Sequence, residues 1–382
     1  MLAIVDAEVW CGDGTRYPRA TVLASGGKIS AVGPDLPVPE GAVVIDGRGR
    51  ILTPGFIDAH THAGIHEEGL GPDGSDGNEV TDPVTPHLRA IDGINPEDVG
   101  LADAARGGIT AMFVTPGSAN VIGGQGAVIK TAGSRTVEGL LVRAPAGLKA
   151  ATGENPKRVY GQKGKQPATR MGIAALLRET LTRARHYQEK PAEDREPDLK
   201  LEAVGLVLSG EIPLRIHCHR ADDITTALRV AAEFGIPVVI DHCTEGHKVA
   251  AQLAAAGVPA VVGPTITSRS KVELRDRSLE TPAVLASCGV RFALCTDHPV
   301  VPAYLLPVEG ALAIRAGLDP DEALRAVTVN AATICGVADR LGSIEVGRDA
   351  DLVLWSGDPF DVRHHRPVLT VIDGRVVARE AS

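Results

Sequence analysis

Short apolar runs recur through the middle of this chain at intervals of roughly 25–40 residues, with helix-compatible sequence between them. They lie at 109–114, 139–142, 214–216, 237–240, 259–262 and 290–294. Strands separated by that much chain are joined by crossover helices and so run parallel. The helical signals agree. Residues 224–234 follow Asp222 and Asp223, either of which can act as N-cap, and stop at Gly235. Residues 171–188 place Leu177, Leu181 and Ala184 on one face. Asp319-Pro320-Asp321-Glu322 supplies an N-cap, a proline at the first helical position and an acid at the third. The predicted fold class is α/β, with eight strands in a (β/α)8 TIM-like barrel whose chemistry collects at the C-terminal strand ends.

The two ends of the chain have a different texture. Residues 1–53 read as short strands broken by Gly26-Gly27 and Asp46-Gly47, and residues 350–378 repeat the pattern around Asp373-Gly374. Residues 1–53 and 345–382 therefore predict a composite β-sandwich domain, with the barrel spanning 54–344. The 382 residues carry 44% hydrophobic side chains, ample for a core of this size. A net charge of −9 gives nucleic acid no electrostatic footprint, and 3% aromatics leave few stacking platforms. Six scattered cysteines without a C-x-x-C pair read as reduced thiols of a cytoplasmic protein. No window has the unbroken apolar length of a membrane span, so the expected partner is a small molecule, with homo-oligomerisation open.

The first barrel strand is the run Thr53-Pro54-Gly55-Phe56-Ile57-Asp58-Ala59-His60-Thr61-His62. Residues i and i+2 of a strand share a face, so His60 and His62 project together. A lone His-x-His is weak evidence for a metal. Three further strands end the same way: 214–216 in His217-Cys218-His219, 237–240 in Asp241-His242, and 290–296 in Asp297-His298. Four strands delivering imidazole or carboxylate donors to one barrel mouth predict a metal centre.

This ordered set resembles the amidohydrolase superfamily. The resemblance runs from the Pro54–His62 opening through the later His, His and Asp to Gly342-Ser343-Ile344-Glu345-Val346-Gly347-Arg348-Asp349-Ala350-Asp351-Leu352-Val353. It implies a divalent ion, zinc by preference, held by His60, His62, His217, His242 and Asp297. Asp297 would be the general base, and His242 would bind a second metal or polarise the substrate carbonyl. In binuclear members a carboxylated lysine bridges two ions. Lys149, in Gly147-Leu148-Lys149-Ala150-Ala151-Thr152-Gly153, resembles that position, with Lys130 as the rival. Two ions are expected if Lys149 is carboxylated, and one otherwise.

Imidazolonepropionases share this layout but usually carry an acidic residue soon after the fifth-strand ligand, where Cys218-His219-Arg220 stands here. The pair His217/His219 together with Lys149 looks more like dipeptidase-like relatives. The implied reaction is hydrolysis of a small amide: an acyl-amino acid, a dipeptide or a cyclic amide. Heterocycle deamination, imidazolonepropionase-like ring hydrolysis and a non-catalytic assembly role are the alternatives. His219, Arg220, Arg158, Tyr160 and Arg269 are candidate substrate contacts, the arginines because a guanidinium grips a carboxylate with two bonds. His66 and His87 are candidate pocket residues, whereas His186, His247, His364 and His365 read as structural or solvated. Residues 64–98, rich in Gly, Pro and acids, predict a loop over the site. Gly123-Gly124-Gln125-Gly126 is a weak candidate for a phosphate cradle.

Overall fold

The computed structural model describes residues 1–361, 363 and 366–380; His364 and His365 lie outside them. Its strands form two sheets. The first contains β6 (Phe56–Thr61), β7 (Ile109–Val114), β8 (Ile122–Lys130), β9 (Leu141–Ala151), β10 (Leu214–Cys218), β11 (Val238–His242), β12 (Ala260–Val262) and β13 (Phe292–Leu294), hydrogen-bonded in that order. This is the expected TIM-like barrel, with one inversion. β8 runs antiparallel to both β7 and β9. Residues 115–121 are too short for a crossover helix, so the chain turns straight back.

β8 is also the strand that sequence patterning missed, because three glycines weaken its signal. Their reason is packing. A Cβ on Gly126 would lie 2.6 Å from the Phe113 ring, and the run 123–126 is strand rather than a phosphate-binding loop. The strand expected at 139–142 instead straddles a single helical turn, Val137–Leu140, and the start of β9.

Alternate residues of seven strands fill the barrel interior, among them Ile57, Ala59, Ala111, Phe113, Val128, Ala146, Val239, Val261 and Ala293. At the same level β10 contributes Arg215, in register with Val239. Its guanidinium lies 4.0 Å from the Phe113 ring centre and donates to Asp241 (2.7 Å) and to the Ala59 carbonyl (2.8 Å). The larger apolar core lies between the strands and the helices. Asp319 caps its helix through the amides of Asp321 and Glu322, as its spacing predicts. In Ala221–Phe234 the N-cap position is Arg220, and Asp222 and Asp223 sit in the first turn, where their charge complements the helix dipole.

β13 and β6 close the barrel through their C-terminal ends rather than along a ladder. The Asp297 amide donates to the His60 carbonyl (3.1 Å), and the His62 amide to the His298 carbonyl (2.8 Å). The buried Asp58 carboxylate accepts from the Thr296 amide (3.2 Å) and hydroxyl (2.5 Å). These bonds hold the ends of the first and eighth strands face to face.

The second sheet unites both chain ends. Its order is β16 (Arg375–Arg379), β15 (Pro367–Ile372), β14 (Leu352–Trp355), β5 (Ile51–Pro54), β1 (Leu2–Trp10), β2 (Arg16–Ser25) and β3 (Lys28–Gly33), with β4 (Val43–Asp46) also on β1. The network branches at β1: Leu2–Val5 pairs with β4, whereas Glu8 and Val9 pair with β5. It encloses its own core of Ile4, Val9, Val22, Leu52, Leu354 and Val371. Lys130 pins this sheet to the barrel. Its ammonium lies 3.1, 2.7 and 3.2 Å from Asp349, Asp351 and Asp373. All six cysteines are free thiols, and among the described residues no helix is long and apolar enough to cross a membrane.

Candidate metal centre

The ends of β6, β9, β10, β11 and β13 bring His60, His62, Lys149, His217, His219, His242 and Asp297 into one cluster. Ring centres are 5.3 Å apart for His60 and His62, and 4.7 Å for His60 and His242. His217 lies 4.4 Å from both His219 and His242. One donor atom each of His60, His62 and Asp297 lies within 4.8 Å of the other two.

Outer partners set which nitrogens are free. His62 Nδ1 lies 2.7 Å from the Thr115 carbonyl and His242 Nδ1 2.9 Å from the Gly263 carbonyl. A carbonyl only accepts, so Nδ1 carries the proton and Nε2 keeps a lone pair. The same holds for His60, whose Nδ1 is 3.0 Å from the carboxylate of Asp241. Asp241 is in turn held by Arg215, the carboxylate–histidine arrangement that orients metal-binding imidazoles. The lone pairs of His60 and His62 then face Asp297 Oδ1 at 3.6 and 3.2 Å with no proton between them. Oδ1 has no hydrogen-bond partner. Converging unprotonated donors repel one another unless a cation sits among them, so this set fits a divalent metal.

Burial keeps four of these imidazoles neutral. His60 and His217 are driven well below the usual histidine range, and His219 and His242 down to about 3. For Asp297, burial pulls upward, but His242, His62 and His60 hold the carboxyl well below its normal range. Asp297 and His242 both have positive φ (55° and 68°), so each turns sharply where its strand ends.

Lys149 is fully buried, and its ammonium is 3.2 Å from His60 Nε2. Burial lowers its pKa to about 8. Lys130 lies with the three aspartates at the sheet–barrel junction, because antiparallel β8 carries its last residue to the start of β7, away from the mouth.

Residues 214–377 match the amidohydrolase family. The crystal structure of an amidohydrolase from Thermotoga maritima MSB8 superposes with a TM-score of 0.95 and 47% identity, both chains covered in full. The chain belongs to the amidohydrolase superfamily. Amidohydrolase tasK of Hapsidospora irregularis is 32% identical over 97% of the chain, which spans 41% of that relative's length. Imidazolonepropionase of Cupriavidus necator is 26% identical, covering 95% of the chain and 92% of the relative. These relatives are hydrolases that act on carbon–nitrogen bonds.

Several candidate substrate contacts have partners of their own. Arg220 forms a surface pair with Asp222 (2.8 Å), and Arg269 donates to the Arg275 carbonyl (2.7 Å). The buried Tyr160 hydroxyl donates to Asn120 (2.5 Å), and Arg158 is exposed on the helix Glu154–Gly161. His219 does join the cluster, with Nδ1 2.7 Å from the Thr244 hydroxyl. His66 is beside it, 5.7 Å from His62 between ring centres and bonded to Ser75 (2.9 Å). Part of the 64–98 loop, with Gly117 and Gly123, lines a cavity of about 280 Å³.

Residue patterning passed over Arg215 and Asp58 as strand interior, and placed Asp241 at its strand end without giving it a role behind His60. It also passed over Glu273, which arrives from the irregular segment after β12. Glu273 is 1% exposed, and burial pushes its carboxyl up to about 7. A buried acid next to strand-end histidines leaves no periodic trace, so no sequence signal marked it.

Proposed function

We propose that this protein is a metal-dependent amidohydrolase that breaks a C–N bond in a small amide, namely an acyl-amino acid, a dipeptide or a cyclic amide. The observation that carries this reading is the convergence of His60 Nε2, His62 Nε2 and Asp297 Oδ1, whose outer partners keep protons off both imidazole Nε2 atoms, with the Lys149 side chain against His60 Nε2. A divalent ion, zinc by preference, supplies acidified water at neutral pH when bound there.

Asp297, ionised and without a hydrogen-bond partner on Oδ1, takes the proton of the attacking water and passes it to the leaving nitrogen. Asp241 and Arg215 hold the His60 ring in its metal-binding tautomer. His242, with Nδ1–H committed to Gly263, presents a lone pair and so acts as a metal ligand rather than as a donor to the carbonyl. Lys149, buried without a carboxylate in hydrogen-bonding contact, is the side chain carboxylated by carbon dioxide. The neutral amine forms the N–C bond and releases one proton, which replaces an unpaired buried cation with an anion facing the metal. The largely buried mouth and the neighbouring cavity favour small substrates.

The test is a screen of metal-loaded protein over dipeptides, N-acyl amino acids and cyclic amides. A new carboxylate together with a released amine is the expected result. Ammonia release without a new carboxylate would assign the protein to the deaminases instead, and chelator-insensitive turnover would overturn the metal reading.

A further inference from the structure

The mouth holds one carboxylate that neither the strand-end pattern nor the proposed chemistry employs. Glu273 lies on the single helical turn Val272–Leu274 after β12. Val272 beside it is 75% exposed and Glu273 only 1%, so the turn sits at the rim and points its acid inward. Polar atoms of Glu273, His217 and His219 lie within 4.8 Å of one another. Glu273 Oε1 and His219 Nε2 nevertheless have no hydrogen-bond partner, and so face a common gap beside His217. His217 in turn stands 4.4 Å from His242 between ring centres, which puts that gap next to the metal cluster.

The surroundings hold this carboxylate in place. Its Oε2 accepts from the Glu154 amide (3.1 Å) and lies 3.8 Å from the Arg170 guanidinium, which leaves Oε1 free. Gly153, at φ 79°, makes room: a Cβ there would collide with Oε2. The loop leading to Glu273 is anchored by the buried Glu309, which accepts from the amides of Thr265 (3.0 Å) and Ile266 (3.1 Å). The local charge balance is negative. Arg170 also pairs with Asp223 at 3.0 Å, so one guanidinium serves two acids. Glu154 and Asp223 repel the Glu273 charge, and Lys271 attracts it from further off. Three carboxylates thus stand against two cations. A buried carboxylate with a free oxygen and surplus negative charge around it is matched by a cationic hydrogen-bond donor.

We propose that Glu273 selects substrates with a free amino group beside the scissile carbonyl, so that dipeptides and amino-acid amides are hydrolysed in preference to N-acyl amino acids. The α-ammonium of such a substrate sits on the carbon next to the carbonyl. A carbonyl drawn to the metal cluster therefore carries the ammonium towards the gap at Oε1. An N-acyl amino acid has no cation at that place and would leave Oε1 buried and unpaired. A site built to bond a donor rejects the analogue that lacks it. Glu273 takes no part in proton transfer, which stays with Asp297. This inference rests on the metal-hydrolase reading of the mouth and narrows its substrate.

The test compares matched amides on zinc-loaded full-length protein. Alanyl-, leucyl- and phenylalanyl-glycine are set against propionyl-, isocaproyl- and hydrocinnamoyl-glycine, which differ from them only in lacking the α-amine. Wild type should favour the dipeptide of each pair in kcat/KM by roughly 10–100-fold, the worth of a hydrogen bond to a charged group. E273Q should lower kcat/KM for the dipeptides by about 10-fold or more and leave their desamino partners unchanged. It should keep the metal content of wild type without lowering the unfolding midpoint. A purely structural role would lower both members of each pair together, and loss of metal from E273Q would make Glu273 a ligand; either result overturns the proposal. The wild-type comparison decides alone if E273Q does not fold. Equal kcat/KM within the pairs, a preference for the desamino compounds, or hydrolysis of cyclic amides only, overturns the proposal and leaves the hydrolase reading intact. Hydrolysis of no amide overturns both.

Discussion

The protein buries two dense groups of charge, and they are organised oppositely. At the sheet–barrel junction, Lys130 meets Asp349, Asp351 and Asp373, and Asp349 also receives Lys28 and Arg340. Here every cation has an anion in contact. At the barrel mouth, Lys149 has only an imidazole against it, and Asp297, Glu273, His217 and His219 all carry orphaned atoms. Both groups cost desolvation, but only the first is compensated within the chain. A compensated group is scaffold, and an uncompensated one is a place for something the chain does not itself provide. That contrast separates two lysines that sequence alone left as rivals.

The comparison breaks most visibly at Asp297. D297N should lower kcat by about 10²–10⁴-fold on any amide that the screen identifies, with little change in thermal unfolding. A variant that loses stability but keeps turnover would make Asp297 scaffold.

Next in size is the lysine pair. K130M strands the buried Asp351 carboxylate, while Asp349 keeps Lys28 and Arg340, and should cost about 3–5 kcal/mol in urea unfolding, with metal content unchanged. K149M should leave stability unchanged or raised, since no carboxylate contacts its ammonium, and should alter metal binding. Equal destabilisation by both would erase the distinction.

Smaller again is the outer support of His60. D241N should weaken the first ion by about 10–100-fold, as read by competition with a chelator.

The fourth expectation concerns pH. His219 and His242 have folded pKa values of about 3 against 6.5 for a free imidazole. Below pH 6.5 the unfolded chain binds protons that the folded chain refuses, so stability of the metal-free protein falls as pH drops towards 3. The slope is up to about 1.4 kcal/mol per pH unit for each histidine, measured as urea midpoints from pH 7 to 5. H219Q should flatten that slope.

The smallest effect belongs to the surface. R220A removes an exposed ion pair and should change stability by less than about 1 kcal/mol and turnover not at all.

Much of this was legible from residue order. Apolar runs ending in His or Asp located the mouth, and the opening Pro54–His62 run marked the first strand. Asp319 and Gly235 placed helix ends through local backbone chemistry alone. β8 was not legible, because the glycines that let Phe113 pack against it also erase the strand signature. Arg220 and Arg269 read as carboxylate receptors from residue type alone, yet they are held by Asp222 and by a backbone carbonyl.

Residue order by itself, then, settled the α/β class, the pairing of the two chain ends and the strand-end histidines, since each follows from periodicity or a short motif. Tertiary packing decided the rest. It turned β8 around and sent Lys130 to the far end of the barrel, set Asp241 behind His60, and brought Glu273 across 53 residues of intervening chain to His219. A period of two or 3.6 says which face a side chain shares with its near neighbours. Which distant donor meets it there depends on how strands, helices and loops pack in three dimensions.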